Sequence, residues 1–275
     1  MQLAIYQPMW GRCGPGTGAT TAEELVPALR TGGYAGLEGP SFQWGNLSEV
    51  PALLRDHNVA WIPLLFADGP DARSCADSLE RQLADVAPSS PPLVNVHGGA
   101  DRFDFAESVD YYRRAGIAAR QAGLKVAHET HRSRPLFTPW HTKELVDAVP
   151  DLLLTADLSH WVTVMERFFD DADLAAVTDR VVHIHARVGH EQGPQVADPA
   201  APEWARHLDQ FEEWWLQIWR HQQGSGVQIS TLTPEFGPPP YQPVAPGGVA
   251  IGDFVASQDW LAKRERERFA VEFSQ

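Results

Sequence analysis

The sequence alternates short apolar runs with helical patterns almost from end to end, and this limits the possible folds more than any other feature. Eight runs have the length and composition of buried strands, and a segment with helical spacing follows each one. The runs cover residues 3–7, 34–39, 59–67, 92–99, 125–130, 152–160, 180–187 and 227–237. Such alternation indicates parallel strands that are joined by crossover helices.

Eight strand–helix units in 275 residues match the size of one (β/α)8 barrel. The sequence therefore predicts an α/β fold, a TIM barrel, with a single domain over residues 1–275. The alternative is an open doubly wound sheet, but no GxGxxG motif follows the first strand. The Pro- and Gly-rich segment 237–248 lies where the last strand-to-helix loop belongs, so we expect it to form a wall or lid over the barrel mouth.

The composition excludes several classes of function. The net charge of −14 argues against a nucleic-acid partner, which would need a basic face. No apolar run approaches the roughly 18 residues that would span a membrane, and no signal-peptide pattern opens the chain. Cys13 and Cys75 form no CxxC motif, which predicts two reduced thiols in a cytoplasmic protein.

Four residues that commonly bind metals fall at the ends of four successive predicted strands. Glu129 ends the fifth strand, Asp157 the sixth, His185 the seventh and Glu235 the eighth. In a barrel these ends converge on the C-terminal mouth, where active sites lie. Three carboxylates and one imidazole suit Mn²⁺, Mg²⁺ or Co²⁺ better than a structural Zn²⁺, which favours thiolates. The sequence thus predicts a divalent-metal site.

The seventh strand indicates which of its polar residues face the barrel interior. The alternate positions from Val182 to Val188 are all apolar and suit packing against outer helices, so His183, His185 and Arg187 point inward. His183 should lie about 6.6 Å deeper than His185, as a supporting residue. The excess negative charge of the carboxylates could be balanced by Arg187, by a second metal ion or by a proton held on one glutamate.

Three more residues near strand ends are candidates for substrate binding. Glu38 is either a substrate-binding carboxylate or the partner of an arginine. His97 ends the fourth strand. His131, with Arg132 and Arg134 beside it, either binds an acidic or phosphorylated sugar or belongs to a solvated loop with ion pairs.

Four motifs resemble those of the xylose isomerase-like TIM barrels. They are HETHR at 128–132, DLSHW at 157–161, HIHAR at 183–187 and PEFG at 234–237. That superfamily includes sugar isomerases and epimerases, inosose dehydratases and apurinic endonucleases. The resemblance covers roughly the whole chain and is strongest between residues 95 and 237.

The resemblance implies roles for individual residues. The metal ligands would be Glu129, Asp157, His185 and Glu235. His160 matches the second residue of an Asp-x-x-His pair, which contacts substrate oxygen near the metal. Arg187 lies near an arginine that binds substrate in the sugar epimerases, although its spacing differs. His97 matches a position that supports a substrate or, in the endonucleases, another metal. The endonucleases also carry an Asp-x-His pair after the seventh strand, and this chain has no clean equivalent.

The resemblance also implies an enzymatic activity. A divalent-metal-dependent sugar or polyol isomerase or epimerase would act by proton transfer through a metal-stabilised enediolate, with Glu129 and Glu235 as the acid/base pair. The same residues suit a lyase or dehydratase that acts on a keto-sugar or inosose. A barrel that binds carbohydrate without catalysis is a third possibility, and an endonuclease is a remote one.

The long helix after the seventh strand bears on oligomeric state. Trp214 and Trp219 fall off its main apolar stripe. Their position is interpreted as a contact between subunits of a homo-oligomer.

Overall fold

Eight parallel strands close into a barrel in chain order in the computed structural model, which describes residues 1–14, 17 and 19–273. β1 pairs with both β2 and β8, which closes the sheet. The prediction of a single (β/α)8 barrel is therefore confirmed. The strands are β1 Gln2–Pro8, β2 Gly36–Pro40, β3 Ala60–Ala67, β4 Val94–Gly98, β5 Val126–Glu129, β6 Leu154–Ala156, β7 Val181–Ala186 and β8 Ile229–Pro234.

The crossover helices surround the barrel, with two departures from the predicted pattern. Residues 158–160, predicted as the end of the sixth strand, form the first turn of a helix, which Asp157 caps. The first crossover, Ala22–Ala28, is a 3-10 helix that contains Pro27. Proline has no amide hydrogen and clashes with the preceding turn, which disfavours an α-helix there. The α-helices are α1 Val50–His57, α2 Ala72–Val86, α3 Phe105–Ala122, α4 Pro139–Ala148, α5 Leu158–Met165, α6 Asp171–Ala175, α7 Ala205–Gly224 and α8 Phe254–Phe273.

The interior of the barrel is filled in layers, because alternate residues of each strand face inward. An apolar layer is formed by Tyr6, Ile62, Leu93 and Ala127, which make a cluster separate from the main core. Above it lies a hydrogen-bonded polar layer. Its members are Glu38, Asn95, His183 and Thr233. The predicted metal ligands form the next layer, toward the C-terminal mouth.

The two tryptophans predicted to mark a subunit contact are buried inside the protomer. Trp214 and Trp219 are both 0% exposed, so this prediction is wrong. The ring of Trp214 stacks on Phe169 with centroids 3.9 Å apart, and Trp219 packs edge-on against Phe269 of α8. The helical stripe is wider than expected because α7 is covered on two sides, by the β6–β7 connection and by α8.

Trp214→Ala should lower the free energy of unfolding by about 3–5 kcal/mol, the usual cost of truncating a buried large aromatic residue. The variant would lose the stacking on Phe169 and the hydrogen bond from Nε1 to Asp171. Urea unfolding measures the change. Val271→Ala serves as the control because Val271 is 87% exposed. A loss below about 1 kcal/mol for Trp214→Ala would contradict the packing described.

The two cysteines and the lengths of the helices agree with the sequence analysis. Cys13 and Cys75 are both free and buried. None of the helices in the described part of the chain is long and apolar enough to cross a bilayer.

Candidate metal and active site

The four residues predicted to bind a metal converge at the C-terminal mouth of the barrel. One ligand atom from each of them lies within 4.8 Å of those of the other three, and all four residues are buried. They come from consecutive units of the barrel. Glu129 is the last residue of β5, Asp157 follows β6, His185 lies in β7 and Glu235 follows β8.

Asp157 is oriented by the helix that it caps. It is the N-cap of α5, and its Oδ1 accepts hydrogen bonds from the backbone nitrogen and the hydroxyl of Ser159. An aspartate at this position satisfies amides that would otherwise lack partners at the start of the helix. Oδ2 is therefore left to face the site, where Arg187 donates to it.

Arg187 is a buried cation among the predicted ligands. Its side chain is almost wholly enclosed, and Nη2 contacts Asp157 and lies 3.4 Å from Oε2 of Glu235 and 2.9 Å from Nε2 of His160. Burial alone would lower the pKa of Arg187, but Asp157 and Glu235 hold it above its usual value. The guanidinium thus offsets part of the carboxylate charge, which is one of the possibilities that the sequence left open.

Several buried atoms of the site lack hydrogen-bond partners among the described residues. They are Nδ1 of His185, Oε2 of Glu235, Oε1 of Glu129 and Nε2 of His97. Nδ1 of His185 lies 2.6 Å from Oε2 of Glu235 and 3.2 Å from Oε2 of Glu129 without forming a hydrogen bond of good geometry. Buried polar atoms are costly when left unpaired. A cation among these lone pairs would satisfy them, so the residues fit a divalent metal.

The electrostatics of the site are those of a crowded anionic centre. Burial raises the pKa of Asp157 to about 6; Arg187 opposes the rise, while Glu235 and Glu129 add to it by repulsion. Burial would lower the pKa of His185, but the charges of Glu38, Glu235 and Glu129 raise it well above its usual value. A bound cation would displace that proton, because a ligating imidazole must be neutral on the bonded nitrogen.

Glu38 lies beneath His185, within the barrel. Its carboxylate accepts from both histidines of β7: Oε1 lies 2.8 Å from Nε2 of His185, and Oε2 lies 2.9 Å from Nε2 of His183. Asn95 and Thr233 also donate to it. Glu38 is 4% exposed, and none of its partners in the described chain is the arginine considered as an alternative. His183 occupies the deeper supporting position that the alternation of β7 predicted.

His97 and His131 extend the site on the side of Glu129. Nε2 of His97 lies 2.7 Å from Oε2 of Glu129. The rings of His97 and His131 are 4.6 Å apart, and ligand atoms of His97, Glu129 and His131 also lie within 4.8 Å of one another. Burial and the proximity of His97 keep the pKa of His131 well below its usual value, so its ring is neutral and able to accept a bond or a ligand.

His160 and the loop after β8 close the site from above. His160 is fully buried in the first turn of α5, and its ring lies 3.8 Å from that of His131. Burial, with His131 and Arg187 nearby, lowers its pKa well below the usual value. Tyr241, in the segment predicted to form a lid or wall, lies under the guanidinium groups of Arg132 and Arg187 at 5.1 and 4.9 Å from its ring centroid.

The arginines beside His131 divide between the two roles considered for them. Arg134 pairs with Asp68 at 2.6 Å and also donates to the backbone of Gly99, so it has a structural role in the loop. Arg132 lies over Tyr241 at the edge of the site. Of these two arginines, Arg132 is therefore the one placed to approach a bound molecule.

The sequence reasoning missed three polar residues of the site. Asn95 links Glu129 to Glu38, with Nδ2 2.9 Å from Oε2 of Glu129. It precedes His97 by two residues, so the alternation of β4 could have identified it. Thr233 could have been found in the same way, because it precedes Glu235 by two. Tyr241 could not, because its place depends on the path of a long loop.

Comparisons with known proteins bear on the fold. No protein-family model matches the sequence, and no curated protein matches it. Among solved structures, the chain is similar to the IolI protein with a bound zinc atom (TM-score 0.68, 12% identity, 98% of this chain and 99% of that one).

Two further structures have the same fold. One is an AP endonuclease of family 2 from Brucella melitensis (TM-score 0.64, 14% identity, 94% of this chain and 98% of that one). The other is a xylose isomerase-like TIM barrel protein from Mycobacterium smegmatis in complex with magnesium (TM-score 0.60, 16% identity, 96% and 97%). The chain therefore shares its fold, over nearly its whole length, with xylose isomerase-like TIM barrel proteins.

Proposed function

We propose that this protein is a divalent-metal-dependent isomerase or epimerase of a sugar or polyol. The observation that carries the proposal is the convergence of Glu129 and Glu235 with Asp157 and His185 in one buried site. Two carboxylates that flank a single substrate carbon can remove a proton from one face and return one to the other.

The metal would be held by Glu129, Asp157, His185 and Glu235. When bound, it would polarise a substrate carbonyl and offset the negative charge that develops as the neighbouring C–H bond breaks. The oxygen-rich ligand set favours Mn²⁺, Mg²⁺ or Co²⁺. The similar solved structures carry zinc in one case and magnesium in another, so both ions belong in the test.

The remaining residues would orient the substrate. His160, neutral because of its buried surroundings, and Arg187 would hold the substrate oxygens on which charge grows. His97 and His131 line the side of Glu129 and would contact the adjacent hydroxyl groups. Trp10 packs edge-on against Tyr241 with centroids 4.9 Å apart, and this aromatic pair beside Arg187 would help to exclude water from the reacting carbon.

The experiment is a panel of keto-sugars and inososes in D₂O with Mn²⁺, Mg²⁺, Co²⁺ or Zn²⁺. The sugar is recovered, freed of metal and analysed by NMR and mass spectrometry. An isomerase or epimerase incorporates deuterium at a carbon next to the carbonyl and forms the corresponding isomer. The absence of exchange with every sugar and every metal would contradict the proposal.

The same panel separates the alternatives. A lyase or dehydratase would release water and yield a product that absorbs in the ultraviolet. Binding of a sugar without turnover would indicate a carbohydrate-binding barrel. Because one similar structure is an AP endonuclease, cleavage of an abasic DNA duplex is assayed in parallel. The net charge of −14 opposes binding to DNA, and we expect no cleavage.

A further inference from the structure

We propose that Glu38 is a positioning residue that makes Nδ1 of His185 the metal-binding atom. The inference rests on the proposed metal-dependent function. The two nitrogens of the His185 ring have opposite surroundings. Nε2 points down to Glu38 at 2.8 Å, whereas Nδ1 points up to Glu235 and Glu129 at 2.6 and 3.2 Å.

Glu38 accepts hydrogen bonds on both oxygens. Oε1 accepts hydrogen bonds from Nε2 of His185 and, at 3.3 Å, from Nδ2 of Asn95. Oε2 accepts hydrogen bonds from Nε2 of His183 and from the hydroxyl of Thr233. Both oxygens are therefore surrounded by donors, which come from Asn95, Thr233 and the two histidines. A buried carboxylate is an acceptor only, so the Nε2 atoms of both rings must carry hydrogens.

That requirement determines the protonation pattern of His185. In the neutral ring, a hydrogen on Nε2 leaves a lone pair on Nδ1, the atom that has no partner among the described residues. Ligating histidines commonly donate their second nitrogen to a carboxylate, which fixes the ring and makes it a better ligand. Glu38, His183 and His185 also lie close enough to hold an ion themselves. Their facing atoms, however, are already used in hydrogen bonds, whereas Nδ1 of His185 faces two carboxylates without a well-formed hydrogen bond to any described residue.

Glu38→Gln tests the proposal with almost no change in shape. The amide group of glutamine is a donor, so it must face the Nε2 atom of either His183 or His185. When it faces His185, that ring must place its hydrogen on Nδ1 and cannot bind a metal there. When it faces His183, the ring of His185 loses the charge of its partner.

We expect Glu38→Gln to weaken Zn²⁺ and Mn²⁺ binding by about 10–100-fold, the usual cost of losing such a partner. Isothermal titration of the folded variant measures the affinity. Thr231→Val is the matched control because it removes the hydroxyl partner of Nδ1 of His183, deeper in the barrel, and leaves the bond between His185 and Glu38 intact. We expect Thr231→Val to bind metal with nearly the affinity of the parent.

NMR of the parent protein provides a test that does not depend on whether any variant folds. In the Zn²⁺-loaded protein, ¹⁵N–¹H spectra of His185 should show a hydrogen on Nε2 and none on Nδ1. A hydrogen on Nδ1, or an unchanged metal affinity in Glu38→Gln, would overturn this inference while leaving the proposed function in place. If the parent binds no divalent cation, the proposed function itself fails.

Discussion

Glu129→Gln is expected to abolish measurable exchange of substrate protons with solvent. Glu129 is proposed both as a metal ligand and as one of two acid/base carboxylates, and a positioned base alone contributes about 10²–10⁴-fold to a rate. Glutamine has the same shape but cannot accept the proton. Oε2 of Glu129 contacts Asn95 and His97. These contacts would also change, because an amide group would replace one carboxylate oxygen.

The two roles of Glu129 can be separated by measuring metal content and deuterium exchange on the same sample. Glu80→Gln is the matched control because Glu80 is an exposed residue of helix α2 and is not one of the residues of the site. It should retain full activity and full metal content. A Glu129→Gln variant that exchanges substrate protons at the parental rate would remove Glu129 from the mechanism.

Glu235→Gln adds a sharper test of the two-carboxylate arrangement. If each carboxylate serves one face of the reacting carbon, removal of Glu235 leaves Glu129 able to withdraw and return a proton on its own face. We expect exchange of deuterium into the starting sugar without formation of the epimer. Equal loss of exchange from both epimers would indicate that a single base serves both directions.

Removal of the metal should lower the stability of the whole barrel. Three buried carboxylates converge at the site, where Glu129 and Glu235 repel Asp157, and a divalent ion relieves that repulsion. Binding to the folded state alone adds about 4.1 kcal/mol to the free energy of unfolding when the free metal is 1,000 times its Kd. Urea unfolding with metal and with a chelator measures this difference.

Asp157→Asn identifies the source of the metal-dependent stability. The variant should respond little to added metal, because one ligand has lost its charge. Asparagine keeps the oxygen that caps α5, so the helix itself should persist. Glu80→Gln again serves as the control and should respond to metal as the parent does. If the parent protein unfolds at the same urea concentration with metal and with chelator, the proposed metal site is contradicted.

The sequence was sufficient to predict the eight-stranded barrel because strand-like and helical patterns alternate throughout. The convergence of Glu129, Asp157, His185 and Glu235 was also predictable, because the ends of parallel strands meet at one mouth. The pairing of Arg187 with Asp157 was not predictable from the sequence. It depends on the cap of α5, which turns Oδ2 of Asp157 toward β7.

Other features depend on contacts between elements that are distant in the sequence. The contacts of Glu38 with His183 and His185 could not be inferred from β2 alone, because β7 lies across the barrel. Trp214 falls off the apolar stripe of α7 but is buried, because the ring that covers it, Phe169, lies in the connection between β6 and β7. Tyr241 depends on the path of the loop after β8.

The bonds from Glu38 to His183 and His185 join residues 145 and 147 positions apart in the chain. β2 and β7 are not neighbours in the sheet, so these bonds span the interior of the barrel. Contacts of such long sequence separation slow folding, because the entropy cost of closing a large loop must be met before they form. An N-terminal fragment that ends before β7 would leave Glu38 without these histidine donors, and burying an unpaired carboxylate is costly. The hydrogen-bonded layer under the site therefore cannot be completed before β7 is in place.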